Sequence, residues 1–211
     1  MARDDTLLAG FDRHVAGASP GQLAFVAWSI TCAGLAGALA LYVVLTPGFA
    51  ASLFGGGPAA GYLLRQIVFN GLPVVFAVNL TGLWLYARVA RRAGRPLAAL
   101  ALDAGLRAVL FVGLHAAIYA GAARAFGSFG GNPSQAVGAV GPTLAAAATF
   151  GNLSGVYLYA TAVSAFPLFA AAVVDRAGAP PLARPLVWMI PPFAVAFAAY
   201  AGVVSLVAGR L

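Results

Sequence analysis

Residues 19 to 48 read SPGQLAFVAWSITCAGLAGALALYVVLTPG. The run opens on a helix start: Ser19 in the capping position, Pro20 where a missing N–H is harmless, and an amide, Gln22, three residues after the cap. From Gln22 to Leu45 no charged residue occurs, and Thr46, Pro47 and Gly48 close the pattern. At about 1.5 Å per residue such a helix is long enough to cross a hydrocarbon layer of roughly 30 Å. It follows Asp-rich sequence and is too long for a signal-peptide core, so it reads as an uncleaved first span.

The rest of the chain repeats this character. Of 211 residues, 62% are hydrophobic and 8% charged, against about half and a quarter in a soluble domain. Such a chain cannot cover itself with polar surface. There is no Lys and no Glu; the positive charge rests on 12 Arg and the negative charge on Asp4, Asp5, Asp12, Asp103 and Asp175. Further apolar segments lie at about 62–87, 97–121, 143–174 and 186–208, which with 22–45 makes about five spans. The expected fold is therefore an all-α integral membrane protein, a single transmembrane domain over residues 21–211. Residues 1–20 form a cytoplasmic segment ahead of it, in which Leu7, Leu8, Phe11 and Val15 recur at helical spacing, as in a short amphipathic helix lying on the membrane. Pro73 and Pro167 are candidate kinks in spans two and four. The Gly, Ser, Asn and Pro-rich connection before span four is expected to form a short loop helix or a mobile loop.

Arginine placement sets the orientation. With the N-terminus in the cytoplasm, Arg3, Arg13, Arg88, Arg91, Arg92, Arg95, Arg107, Arg176 and Arg184 fall inside, and only Arg65, Arg124 and Arg210 outside. Five spans then place the C-terminus in the periplasm of a bacterial-type inner membrane. Trp28, Trp84 and Trp188 sit near the inner ends of their spans, and Tyr42, Tyr62 and Tyr119 near the outer ends. A net charge of +7 without an aromatic-interleaved basic patch points to lipid contact and not to nucleic acid.

Helices associate in lipid through small residues or interhelical hydrogen bonds. Ala147, Gly151 and Gly155 recur every four residues and read as a packing stripe on span four; on span one either Ala33 with Gly37 or Gly34 with Ala38 does the same. Cys32 reads as a small buried core residue and, being alone, allows no intrachain disulfide.

Polar groups inside the spans carry what chemistry there is. Gln66 and Asn70 on span two, His115 with Tyr119 on span three, and Asn152 with Ser154 on span four fall at similar depth in the outer third. Uncompensated amides and imidazole are costly in hydrocarbon, so these six should meet one another, water or a ligand. Asp103 and Arg107, four apart near the inner end of span three, have the spacing of a structural ion pair. His115 lacks a second histidine on its side of the membrane for bis-imidazole haem, although one imidazole leaves a pigment or quinone open. No metal-ligand cluster, P-loop, nucleophile elbow or paired carboxylates occur, so neither enzyme chemistry nor a cofactor is required. Sparse polar content favours a non-catalytic subunit or assembly factor of a larger membrane complex, with a membrane-protein partner or a second copy. The alternative is a small-molecule permease or ligand-binding or pigment-binding protein that uses the outer polar cluster.

Overall fold

A computed structural model describes residue 15 and residues 17–55, 58–88, 96–162, 198 and 200–210. The described residues are helical, without a strand. Helix α1 spans Pro20–Leu45 and α2 Pro47–Phe54; α3 runs over Ala59–Arg88, and α4 over Pro96–Phe126. A tight 3-10 turn, Ser128–Gly131, leads to α5, Pro133–Gly138, and then α6, Val140–Ala148. Helix α7 covers 154–162 and α8 covers 200–208. Three helical stretches, Pro20–Leu45, Ala59–Arg88 and Asp103–Phe126, are long and apolar enough to cross a membrane. Most of the expected interfacial helix, the loop at 89–95, Pro167, Trp188 and most of the fifth span lie outside the described residues.

Helix α1 begins as its sequence dictates. The Gln22 N–H donates to Ser19 Oγ at 3.3 Å while the Ser19 N–H donates to Gln22 Oε1 at 2.8 Å, a reciprocal capping box. Leu23, Ala27, Thr31, Gly34, Leu35, Ala38 and Tyr42 form its buried face, the helical repeat of one side. Of the two candidate small pairs the fold uses Gly34 with Ala38: a Cβ on Gly34 would lie 2.8 Å from the carbonyl oxygen of Ala160, so α1 and α7 touch backbone to backbone. Gly141 meets the carbonyl of Ala208 in the same way, which seats α6 against α8. Cys32 is exposed, not buried, because it sits beside Thr31 but off that face. Phe25 at 72% and Val44 at 73% exposure lie outside the core as well, an apolar exterior suited to lipid.

Helices α1 and α3 pack against each other. Trp28 meets Phe76 edge-on, with centroids 5.8 Å apart, and Thr31 meets Asn79. Within α3, the turn Ile67–Gly71 is wound as a π-helix. Two features explain it. Pro73 has no N–H for the carbonyl four residues back and crowds that turn. Gly71 also admits the ring of Tyr157, whose Cε1 would be 2.2 Å from a Cβ at that position. The helix thus answers the proline by widening.

One chain of hydrogen bonds ties three helices together. Arg107 on α4, 2% exposed, donates through Nε to Asp103 Oδ2 at 2.9 Å and through Nη1 to Asn79 Oδ1 on α3 at 3.2 Å. Asn79 Nδ2 donates in turn to Thr31 Oγ1 on α1 at 2.9 Å. The pair expected from the four-residue spacing is present, but Arg107 is a core residue and not a loop arginine. Gly82 makes the space: a Cβ there would stand 2.2 Å from the guanidinium carbon. Breaking a buried pair strands a charge. Gly82→Ala is expected to lower stability by about 1–3 kcal/mol through overpacking, read from thermal denaturation of the purified protein in detergent. Gly37→Ala, whose Cβ meets nothing within 4 Å, should change it by less than about 0.5 kcal/mol; equal midpoints for the two variants would remove the role given to this slot.

Candidate functional site

The fourth apolar segment is not one helix. Helix α6 ends at Ala148, residues 149–153 are non-helical, and α7 starts at 154. Phe150 adopts φ 55, the left-handed region, at the position where a helix C-terminus ordinarily carries glycine. The Gly151 N–H donates to the Ala146 carbonyl at 2.8 Å and the Phe150 N–H to the Ala147 carbonyl at 3.0 Å, the paired bonds of a Schellman ending. A left-handed phenylalanine costs about 1–2 kcal/mol. Its ring stacks on Tyr159, with centroids 4.4 Å apart, and lies 5.9 Å from Tyr42, contacts of the size that offsets such a cost.

The break leaves no helix-terminal carbonyl among Ala146, Ala147 and Ala148 without a donor. Thr149 Oγ1 adds a bond to Ala146 at 3.1 Å, and the Tyr159 hydroxyl donates to Ala148. Asn152 Nδ2 reaches further back, to the Thr143 carbonyl at 2.8 Å. Unmet buried carbonyls would cost on the order of 1–3 kcal/mol each. The four-residue spacing of Ala147, Gly151 and Gly155 therefore does not form a stripe on one helix. Ala147 belongs to the last turn of α6, Gly151 to the break, and Gly155 to α7, where its missing Cβ lets the Ala147 carbonyl and Phe150 approach.

A cavity of about 420 Å³ opens beside this break, within the range of about 300–1,000 Å³ usual for small-molecule sites. Gln66, Asn70, His115, Tyr119, Asn152 and Ser154 all line it. Three elements bring them together: α3 presents Gln66 just before its π turn and Asn70 within it, α4 presents His115 and Tyr119, and the broken segment presents Asn152 and Ser154. Asn70 Nδ2 donates to Gln66 Oε1, as their four-residue spacing allows. Six further residues complete the wall: Tyr62, Val74, Ile118, Thr143, Leu153 and Tyr157. Of these, Tyr157 was findable from depth alone, one turn beyond Ser154. Its hydroxyl donates to the Gln66 carbonyl at 3.0 Å, which locks the π turn to α7.

His115 is 5% exposed. Its Nδ1 donates to the Phe111 carbonyl at 2.9 Å, since a carbonyl can only accept. The neutral ring then carries its lone pair on Nε2, which meets no partner among the described residues. Phe111, fully buried, packs on the imidazole with ring centroids 4.4 Å apart. Asn152 Oδ1 is likewise buried without a partner. No Asp, Glu, Arg or Lys side chain lines the cavity. Among the described residues no group of three or more His, Cys, Asp or Glu is placed to hold a metal ion.

Comparison of the chain with protein families, with curated proteins and with solved structures finds no match. The cavity's meaning rests on its own chemistry.

Asn152 and Asn70 separate structure from site. Asn152→Leu removes the donor to Thr143 and is expected to cost about 1–3 kcal/mol. Asn70→Leu, on an exposed position of the cavity rim, should leave stability within about 0.5 kcal/mol. Denaturation midpoints of the two purified variants check this; similar losses in both would mean that the rim is part of the scaffold.

Proposed function

We propose that this chain is a polytopic inner-membrane protein of five spans that binds a small molecule in the cavity beside its broken fourth span. The observation that carries the reading is that break. A helix crossing hydrocarbon keeps its hydrogen bonds within itself, and interrupted helices are tolerated in membranes where the irregular backbone lines a cavity. Here five residues leave the helix at the place where polar side chains from three elements converge. A break serving only to relieve strain would call for none of them.

Two helix contacts support the five-span count. Helices α7 and α8 belong to apolar segments long enough to cross, and each packs by close backbone approach against another helix, α7 on α1 and α8 on α6. The orientation rests on arginine. With Arg107 withdrawn to the core, eight loop or terminal arginines against three still favour a cytoplasmic N-terminus. On a Cys32→Ser background, Ala93→Cys is expected to resist an impermeant maleimide in intact cells, and Gly57→Cys to react. The reverse pattern would invert the topology.

A subunit or assembly role stands behind this reading. Its only described support is exposed apolar helix surface, which lipid covers equally well.

The ligand is testable without knowing its identity. Protein extracted in mild detergent from its native membrane and analysed by native mass spectrometry should carry a non-covalent small molecule. Ser154→Phe, which fills the cavity from the start of α7, should lose it while remaining monodisperse. If Ser154→Phe retains the same molecule in full, the ligand lies elsewhere and the cavity is a structural network.

A further inference from the structure

We propose that the cavity selects a neutral, ring-sized molecule that presents hydroxyl donors, either a phenolic diol or a carbohydrate. This rests on the ligand-site reading above and names its substrate class. Three of the side chains that form the wall spend a donor on the protein backbone. Asn152 Nδ2 is held by the Thr143 carbonyl, Tyr157 O–H by the Gln66 carbonyl, and His115 Nδ1–H by the Phe111 carbonyl. These bonds also fix the orientation of the amide and the tautomer of the ring, because each partner is a carbonyl. What is left on the wall is mixed: the Nε2 lone pair of His115 as an acceptor, and the Gln66 amide N–H with the hydroxyls of Tyr62, Tyr119 and Ser154 as donors. A ligand that fits must bring donors as well as acceptors.

Charge narrows the class. An ammonium has donors, but no carboxylate lines the cavity, and stripping a cation of water without a counter-ion is costly. The chain's net charge of +7 adds to the penalty. An anion meets no Arg or Lys in the wall and pays the same cost of lost water. A hydroxyl meets both sides of the site, donating to His115 Nε2 while its oxygen accepts from Ser154 at the positive end of α7. The rings of Tyr62, Tyr119 and Tyr157 in the wall suit the flat face of a phenol or a sugar.

The test uses full-length protein in phosphatidylethanolamine and phosphatidylglycerol nanodiscs, with empty nanodiscs as the blank for partitioning. Five probes are titrated by calorimetry under argon: hydroquinone, glucose, 1,4-dimethoxybenzene, benzylammonium and benzoate. Hydroquinone or glucose is expected to bind at least tenfold more tightly than the last three, and whichever of the two wins distinguishes the phenolic from the carbohydrate source. His115→Phe keeps the ring packing but removes both nitrogens, and is expected to weaken the preferred probe at least tenfold; Ser154→Ala, which spares the core, should weaken it several-fold. Probe selectivity in the unaltered protein needs no variant to fold. Equal or tighter binding of dimethoxybenzene, benzylammonium or benzoate, lost in Ser154→Phe, would overturn the hydroxyl class while leaving the ligand site standing. Binding of none of the five would also overturn the hydroxyl class, and the native mass spectrum of co-purified ligand then decides separately whether the site itself survives.

Discussion

Arg107 imposes the strictest demand on the fold. A guanidinium does not give up its proton in a protein, so once buried it must be met by a counter-charge and by acceptors, and its bulk must be given room. The chain supplies all three from different helices. Asp103 lies one turn away on the same helix, Asn79 accepts from across the interface, Thr31 orients Asn79 from behind, and Gly82 contributes only absence. Each bond has one geometry, so α1, α3 and α4 can slide or rotate against one another only by breaking it. Apolar packing by itself offers many nearly equal registers; this chain of polar bonds singles out one.

The broken segment obeys the same economy of partners. Its carbonyls are met by local backbone N–H groups, by Thr149, by Tyr159 and by Asn152. Side chains that would otherwise be free to receive a ligand are thus already engaged through one atom, and the engagement determines what the other atom offers. Scaffold and site are made of the same residues. This is why Asn152 is both a cap and a wall, and why the amide orientation of Asn152 and the tautomer of His115 follow from how the backbone was satisfied.

Much of this was readable in the sequence. The start of α1 followed from Ser19, Pro20 and Gln22 because capping is local chemistry. Depth along the apolar segments was enough to group Gln66, Asn70, His115, Tyr119, Asn152 and Ser154, since a residue's height in a span is nearly a linear function of its number. The break at 149–153 was not readable: Thr149, Phe150 and Gly151 sit in an alanine-rich run whose hydropathy is indifferent to backbone conformation, and the left-handed residue is Phe150, not the glycine beside it. That break also dissolved the apparent small-residue stripe. Cys32 and the choice between Ala33 with Gly37 and Gly34 with Ala38 depended on which azimuth of α1 faces the core, which an apolar run without a polar side does not encode. The contact of Arg107 with Asn79 joins residues 28 apart in sequence, beyond any local pattern.

The π-helical turn in α3 sets an angular phase. Gln66 and Asn70 belong to the cavity above or within it, and Asn79 and Gly82 to the buried ionic chain below it. A helix advances about 100° per residue, so the extra residue in this turn fixes the azimuth of one polar cluster relative to the other. Removing a single residue between Ile67 and Gly71 would restore a regular helix and, in doing so, put the two clusters out of step: with the cavity residues held in place, Asn79 would swing roughly a quarter turn or more away from Thr31. The turn acts as a spacer in rotation and not in length.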